Sequence, residues 1–284
     1  MMEVRSVLTG RRGVSLPFSD YCEPIVLDKT QFQALFTNVI SYAKNSRWKS
    51  LELRSGRKFF GDIPSSAYFY RHTLDLTRGE EEIFASFQSS TKRNIRKSIR
   101  KDVKVEVCNS MNPIKEFYRL NCMTRKNHGI PPQPFSFFKK TYEHIISQNM
   151  GIVVLASYEN KIIAGAIYFH FGKKAIYKYG ASDKTYQNLR PNDLVMWEAI
   201  RWYSQNGFDN LCFGKTEPKH EGLRKFKLGW GTKEETLRYF KYDLRQETFV
   251  SNSDLVTGAH NKIFSRMPIP MSKILGSVLY KHFG

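Results

Sequence analysis

Between Phe213 and Gly231 the chain reads FGKTEPKHEGLRKFKLGWG, a run of cations and glycines with few carboxylates. A surface helix uses the cations, and a tight turn uses the glycines. A site that brings backbone close to an anionic substrate uses both. In a helical turn, Arg224 and Lys227 share one face. Carboxylates that could take a proton from a reacting group are Asp183, which follows the strand-like KYGAS, and Glu198. A turn aspartate is the commoner role for Asp183. Tyr177, Tyr179 and Tyr186 could line a channel, although strand alternation alone puts Tyr177 and Tyr179 on one face. His128, just before Gly129, reads as a helix C-terminal residue rather than a base. No Ser-His-Asp or Cys-His set can be assembled.

A second basic stretch lies upstream. Thr77 and Glu80 have capping-box spacing, and Glu80, Glu81 and Glu82 suit the positive end of a helix. The spacing predicts one helix from there to about residue 101. Phe84, Phe87, Thr91, Ile95 and Ile99 fall on one arc, and Lys92, Arg93, Arg96, Lys97, Arg100 and Lys101 on the other. That polar face contains no acid. It suits an RNA backbone, an anionic membrane, or plain solvation.

These segments must be positioned by a folded core. Of 284 residues, 41% are apolar, which argues against general disorder. Lys plus Arg number 45 against 26 Asp plus Glu, a net charge of +19, which implies an anionic partner. Cys22, Cys108, Cys122 and Cys212 form no C-x-x-C pair and read as reduced thiols of a cytosolic protein, with no metal expected. MMEVRSVLTGRRG lacks the apolar region of a signal peptide, and no apolar run is long enough to span a membrane.

The opening residues predict a hairpin with Gly10–Gly13 as its turn. A helix is expected over 29–45, with Phe32, Leu35, Phe36, Val39, Ile40 and Ala43 on its apolar side. Strands follow at SLELRSG and YFYRHTLDL. After the basic helix come helices over 113–127 and 134–149. The period then changes to two: GIVVLASY, KIIAGAIYFHF and KAIYKYGAS make an antiparallel meander. A helix over 192–206, a strand at DNLCFG, the glycine-rich stretch and a strand at TLRYFKYDL complete an α+β pattern with an open, mixed, mostly antiparallel sheet flanked by helices. The units expected are 1–76, 77–245 and a C-terminal extension, 246–284, with a helical piece after Pro270.

The strand–strand–helix–strand order over 151–214 looks like an N-acyltransferase of the GNAT fold. FQSSTKRNIRKSIRKDVKVEV, IIAGAIYFHFGKKAIYKYGAS, LRPNDLVMWEAIRWYSQNGFDNLCFG and GLRKFKLGWG, in this order, resemble the Fem-type peptidyltransferases. SLPFSDYCEPI resembles the first domain of the FemAB-related, BioF2-like branch. Ser15 opens that segment, so 14 residues precede it, where the family has a strand and helices. The resemblance therefore implies a partial N-terminal GNAT-like half.

Fem-type enzymes move an aminoacyl group from aminoacyl-tRNA to an amine of a peptidoglycan precursor. The resemblance implies that activity, with aminoacyl-tRNA and an anionic cell-envelope precursor as partners and no separate cofactor. It implies a cytoplasmic location and allows peripheral contact at the inner face of the membrane. By match to the family's Phe-Lys pair, Phe226 and Lys227 belong to the site. Lys227 would hold a diphosphate or stabilise an oxyanion. Gly229 and Gly231 would turn the chain beside the substrate. Arg93 and Arg96 are implied as structural or phosphate-facing, and Asp20 as facing the acceptor groove. A GNAT enzyme using acyl-CoA has a Gly-rich phosphate loop, but the corresponding Gln187–Asn192 has Arg190 and Pro191 in its place. Arg190 with a helix N-terminus could still meet another phosphate, and Asn192 could be only a cap. Two alternatives stay open: transfer from acyl-CoA, and an inactive basic module binding RNA or anionic lipid.

Overall fold

A computed structural model describes residues 1–7, 10–251 and 266–282. Eleven strands form one sheet. Ten of them run in the order β1-β2-β3-β10-β4-β9-β8-β7-β6-β5, and β11 pairs with β10. The N-terminal part contains β1 (Met2–Ser6), β2 (Gly10–Val14) and β3 (Ser50–Leu53). The larger part contains β4 (Ala67–Asp75), β5 (Lys104–Cys108), β6 (Gly151–Tyr158), β7 (Lys161–Phe171), β8 (Lys174–Ser182) and β9 (Asn210–Thr216). The strand β10 (Lys233–Asp243) joins the two. Its residues Lys233–Tyr239 pair with β4, and Phe240–Asp243 pair with β3. The short β11 (Thr248–Val250) lies on the same strand.

The β1–β2 hairpin is present, but Gly10 to Gly13 lie within β2, so the expected turn is corrected. Helix α1 (Lys29–Asn45) starts at Asp28, whose carboxylate accepts the N–H of Gln31. With the four-residue α2 (Arg57–Phe60) it covers the N-terminal part of the sheet, burying Phe32, Leu51, Phe59, Phe60 and Phe240 together. Leu35, expected on the apolar side, is exposed.

Alternation along β6 divides the larger core between the two sheet faces. Ile152, Val154 and Ala156 pack under α7 (Pro191–Gln205) and the basic α4 (Ser89–Arg100). Val153 and Leu155 pack under α5 (Met111–Asn127) and α6 (Phe135–His144). Three expectations fail at α3 and α4. The helix is broken: α3 (Glu80–Ser86) ends where Phe87 turns to extended backbone, and the N–H of Gln88 donates to Gly229. Thr77 does not cap α3. Its N–H and hydroxyl donate to Asp75, and Gly79 precedes the helix. Ser98 takes the buried position on α4, and Ile99 faces out. The helix expected over 134–149 ends at His144, followed by a 3-10 turn at Ile146–Gln148. The basic stretch near the C-terminus forms α8 (Glu221–Leu228), and the extension ends in α9 (Ile269–Leu279).

Candidate active site

Strands β8 and β9 are parallel but pair only where Lys174–Ile176 meet Asn210–Cys212. Both continue beyond this point, and no further pair joins them. Beside the opening lies a cleft of about 810 Å³. Its walls are Leu16–Tyr21, residues of α6 including Phe137, the end of β7, and Lys178 and Tyr179 of β8. Cys212, Gly214 and Lys215 of β9, with Arg71, also line it.

Asp20 sits at the opening. One carboxylate oxygen lies 3.9 Å from Lys178 Nζ, and the other is 3.4 Å from the N–H of Lys215. Gly214 has φ +72°, and a Cβ there would lie 3.0 Å from Asp20 Oδ2. Both the backbone conformation and the close approach call for glycine. The loop that carries Asp20 is tied down from three sides. Lys178 donates to Phe18 O at 2.6 Å, Tyr239 donates to Asp20 O at 2.7 Å, and Arg54 donates to Ser19 O at 2.8 Å.

Lys178 reaches the cleft because β8 bulges. Ile167 faces Tyr179 and Tyr168 faces Tyr177, so Lys178 is an extra residue. The bulge also corrects the expectation that Tyr177 and Tyr179 share a face. Tyr177 packs with the α7 side of the core. Tyr179 packs with the α5–α6 side, against Phe137 and Phe138. Tyr179 lines the cleft, and burial raises its pKa.

Lys215 lies over the rings of Phe69 and Tyr239, 4.3 and 4.8 Å from their centroids. Burial lowers its pKa. Lys227 does not line the cleft. It is 3% exposed, and its Nζ donates to Gly214 O at 2.9 Å and Lys215 O at 3.1 Å. Burial lowers its pKa to about 8, against the opposing pull of Cys212 and Asp20. It holds from behind the two β9 residues that floor the cleft.

Other candidate residues are placed elsewhere. Arg224 forms two hydrogen bonds with Glu234, at 2.7 and 2.6 Å, and its guanidinium lies over Tyr70. Glu234 also meets the buried His72 at 2.9 Å. Phe226 packs against Trp230 in the core. Gly229 and Gly231 make room for Thr91 and Ser86 at the α3–α4 break, not for a substrate. Asp183 caps a 3-10 turn by accepting the N–H and hydroxyl of Thr185, and lies 3.6 Å from Lys161. Burial pushes its pKa up, but the Thr185 hydrogen bonds and Lys161 outweigh this and lower it. It does not line the cleft. Glu198 pairs with Arg201, and His128 ends α5 as expected.

Arg190 takes a left-handed conformation, φ 61°, just before Pro191 opens α7. Asn192 lies inside the first turn and donates to Ser182 Oγ at 3.1 Å, so it is no cap. The N–H of Asp193 donates to Arg190 O, and the buried Asp193 carboxylate accepts from Asn94. Arg93 and Arg96 stand exposed on α4, away from the cleft. Sequence reasoning missed Lys178, Lys215 and Arg71. Only the bulge and the strand pairing bring them together.

The acetyltransferase (GNAT) domain model matches residues 85–228. The lipid II:glycine glycyltransferase of Staphylococcus haemolyticus is 22% identical, over 61% of this chain and 58% of that protein. The UDP-N-acetylmuramoylpentapeptide-lysine N(6)-alanyltransferase of Weissella viridescens is 27% identical, over 54% of this chain and 46% of that protein. The chain thus spans about half the length of these curated relatives. A crystal structure of FemX superposes with a TM-score of 0.64 at 16% identity, covering 82% of each chain. The C-terminal domain of a putative lysylphosphatidylglycerol synthetase from Agrobacterium fabrum gives a TM-score of 0.59 at 16% identity, over 84% of this chain and 78% of that one.

Proposed function

We propose, from the premise that this chain belongs to the acetyltransferase (GNAT) domain family, that it is a Fem-type aminoacyltransferase. It would move an aminoacyl group from aminoacyl-tRNA to an amine of a peptidoglycan or other cell-envelope precursor, with no separate cofactor. The observation that carries the choice of donor is the start of α7. Acyl-CoA needs free backbone N–H groups there for its pyrophosphate. Pro191 has none, the N–H of Asp193 is taken by Arg190, and a carboxylate sits in the first turn.

The reaction asks little of the protein. The acceptor nitrogen attacks the ester carbonyl, an N–C bond forms, and the C–O bond to the ribose breaks. The departing ribose oxygen takes the proton that the amine loses. Before that attack, Asp20 would receive the acceptor's ammonium group at the opening of β8 and β9 and take its first proton on to solvent, freeing the nitrogen lone pair; the ribose oxygen takes the second. Lys178, Lys215 and Arg71 would face the acceptor's anionic parts, and the apolar wall around Phe137 would hold its uncharged body. Lys227 fixes the Gly214–Lys215 floor on which this depends. An acceptor carried on a membrane lipid would bring the chain to the inner face of the membrane.

The test is transfer from labelled aminoacyl-tRNA to a UDP-linked muramoyl pentapeptide, read by product mass. The expected product gains one aminoacyl group. Asp20→Asn should lower kcat/KM by roughly 100-fold or more with an unchanged melting temperature. Acetyl transfer from acetyl-CoA to the same acceptor, with none from aminoacyl-tRNA, would overturn the reading.

A further inference from the structure

Helix α4 presents Arg93, Arg96, Lys97 and Arg100 within an arc of about 100°. The buried Thr91, Ile95 and Ser98 point the other way. Arg93, Arg96 and Arg100 are exposed, and with Ile99 they border a shallow groove of about 460 Å³. Among the described residues, none of these four cations has an ion-pair partner. Asp193, which meets α4, accepts from Asn94, and Asp102, just past the helix, pairs with Lys104. Four like charges on one helix face repel each other. A fold that leaves them without counterions holds that charge available for a partner.

We propose that this face of α4 is a docking surface for the phosphate backbone of RNA. Resting on the function proposed above, that RNA is the body of the aminoacyl-tRNA donor. Three features favour RNA over a lipid surface. Three of the four cations are arginines, whose planar forks match phosphate oxygens. An interfacial helix buries an apolar stripe in lipid, but on α4 Ile95 is in the core and the exposed Ile99 stands alone among the cations, which makes no stripe. The four cations extend over about 10 Å of helix axis, a length along which a nucleic-acid duplex carries several phosphates. Position fits as well. Asn94, between the cations, donates to Asp193 at 3.2 Å and so sets α4 beside the first turn of α7, next to Arg190. A backbone lying on α4 therefore passes the corner where the acyl-CoA loop is missing.

The test uses the full chain and uncharged tRNA, with affinity measured across a salt series. Replacing Arg93, Arg96 and Arg100 together by Gln removes charge while keeping helix propensity. The charge-matched control replaces Lys115, Lys139 and Lys140 of α5 and α6 by Gln. The α4 variant should bind roughly 30-fold or more weakly at low salt, and the log–log salt slope should fall by about 2–3. The control should keep the wild-type slope, and both variants should keep the wild-type melting temperature. Equal weakening by both triples would reduce the effect to net charge and overturn the proposal. So would loss of binding to phosphatidylglycerol vesicles in the α4 variant with tRNA binding intact. Wild-type tRNA binding that depends on α4, without any aminoacyl transfer, would uphold the surface and defeat the enzymatic reading. Unchanged KM for aminoacyl-tRNA in the α4 variant would do the reverse.

Discussion

Helices α4 and α8 are both short, both basic and both amphipathic, yet the fold uses their cations in opposite ways. On α8, Arg224 is held by Glu234 and Lys227 is buried against two carbonyls. On α4, Arg93, Arg96 and Arg100 face outward without an acidic partner among the described residues. The lesson is that a cation run in a sequence measures charge but not its availability. Availability depends on which strand lies opposite. β10 places Glu234 beside α8, and among the described residues no carboxylate pairs with the α4 arginines.

The largest effect that sharpens this contrast is expected at Lys227. Lys227→Ala strips the hydrogen bonds from two β9 carbonyls and leaves a cavity, so it should cost about 3 kcal/mol and lower the melting temperature by several degrees. The buried Nζ predicts that stability and activity fall together. pH adds a sign. The folded pKa of about 8 lies below the ordinary 10.5. Below pH 8 both states are protonated and the burial penalty is fully present. Between pH 8 and 10.5 the folded state releases its proton first, so the penalty is relieved as pH rises. Wild type should therefore gain up to about 3 kcal/mol over Lys227→Met across that window, read by chemical denaturation. A flat difference would mean that Lys227 is not desolvated.

A smaller effect is expected at Arg224. Arg224→Ala leaves Glu234 with His72 as its remaining partner, and should lower the midpoint of a denaturant titration only slightly. It should leave tRNA affinity unchanged. If it weakened tRNA binding as much as the α4 triple does, the contrast between the helices would collapse. The smallest effect on stability belongs to the α4 triple itself, which should stay within about 0.5 kcal/mol of wild type.

The β6–β8 meander and helix α7 were legible in the sequence because period and turn residues agree there. The site was legible only in part. Asp20 and Tyr179 do line the cleft. The hidden parts share a physical reason: each depends on a contact remote in sequence. The α3–α4 break rests on Gln88 meeting Gly229, and the reach of Lys178 rests on a bulge against β7. The occupation of Arg224 rests on a glutamate of the next strand. Asp183 is a separate case, its carboxylate taken within its own turn. Hydrophobic periodicity reports none of these.

The most direct test of the central claim is donor choice. Wild-type protein is titrated with aminoacyl-tRNA, uncharged tRNA and acetyl-CoA under one salt condition, and each is then competed against the others. The account predicts that aminoacyl-tRNA binds most tightly, that uncharged tRNA competes with it through α4, and that acetyl-CoA displaces neither. Tight binding of acetyl-CoA that excludes aminoacyl-tRNA would contradict it, because the start of α7 would then hold the pyrophosphate that Pro191 and Asp193 are argued to refuse.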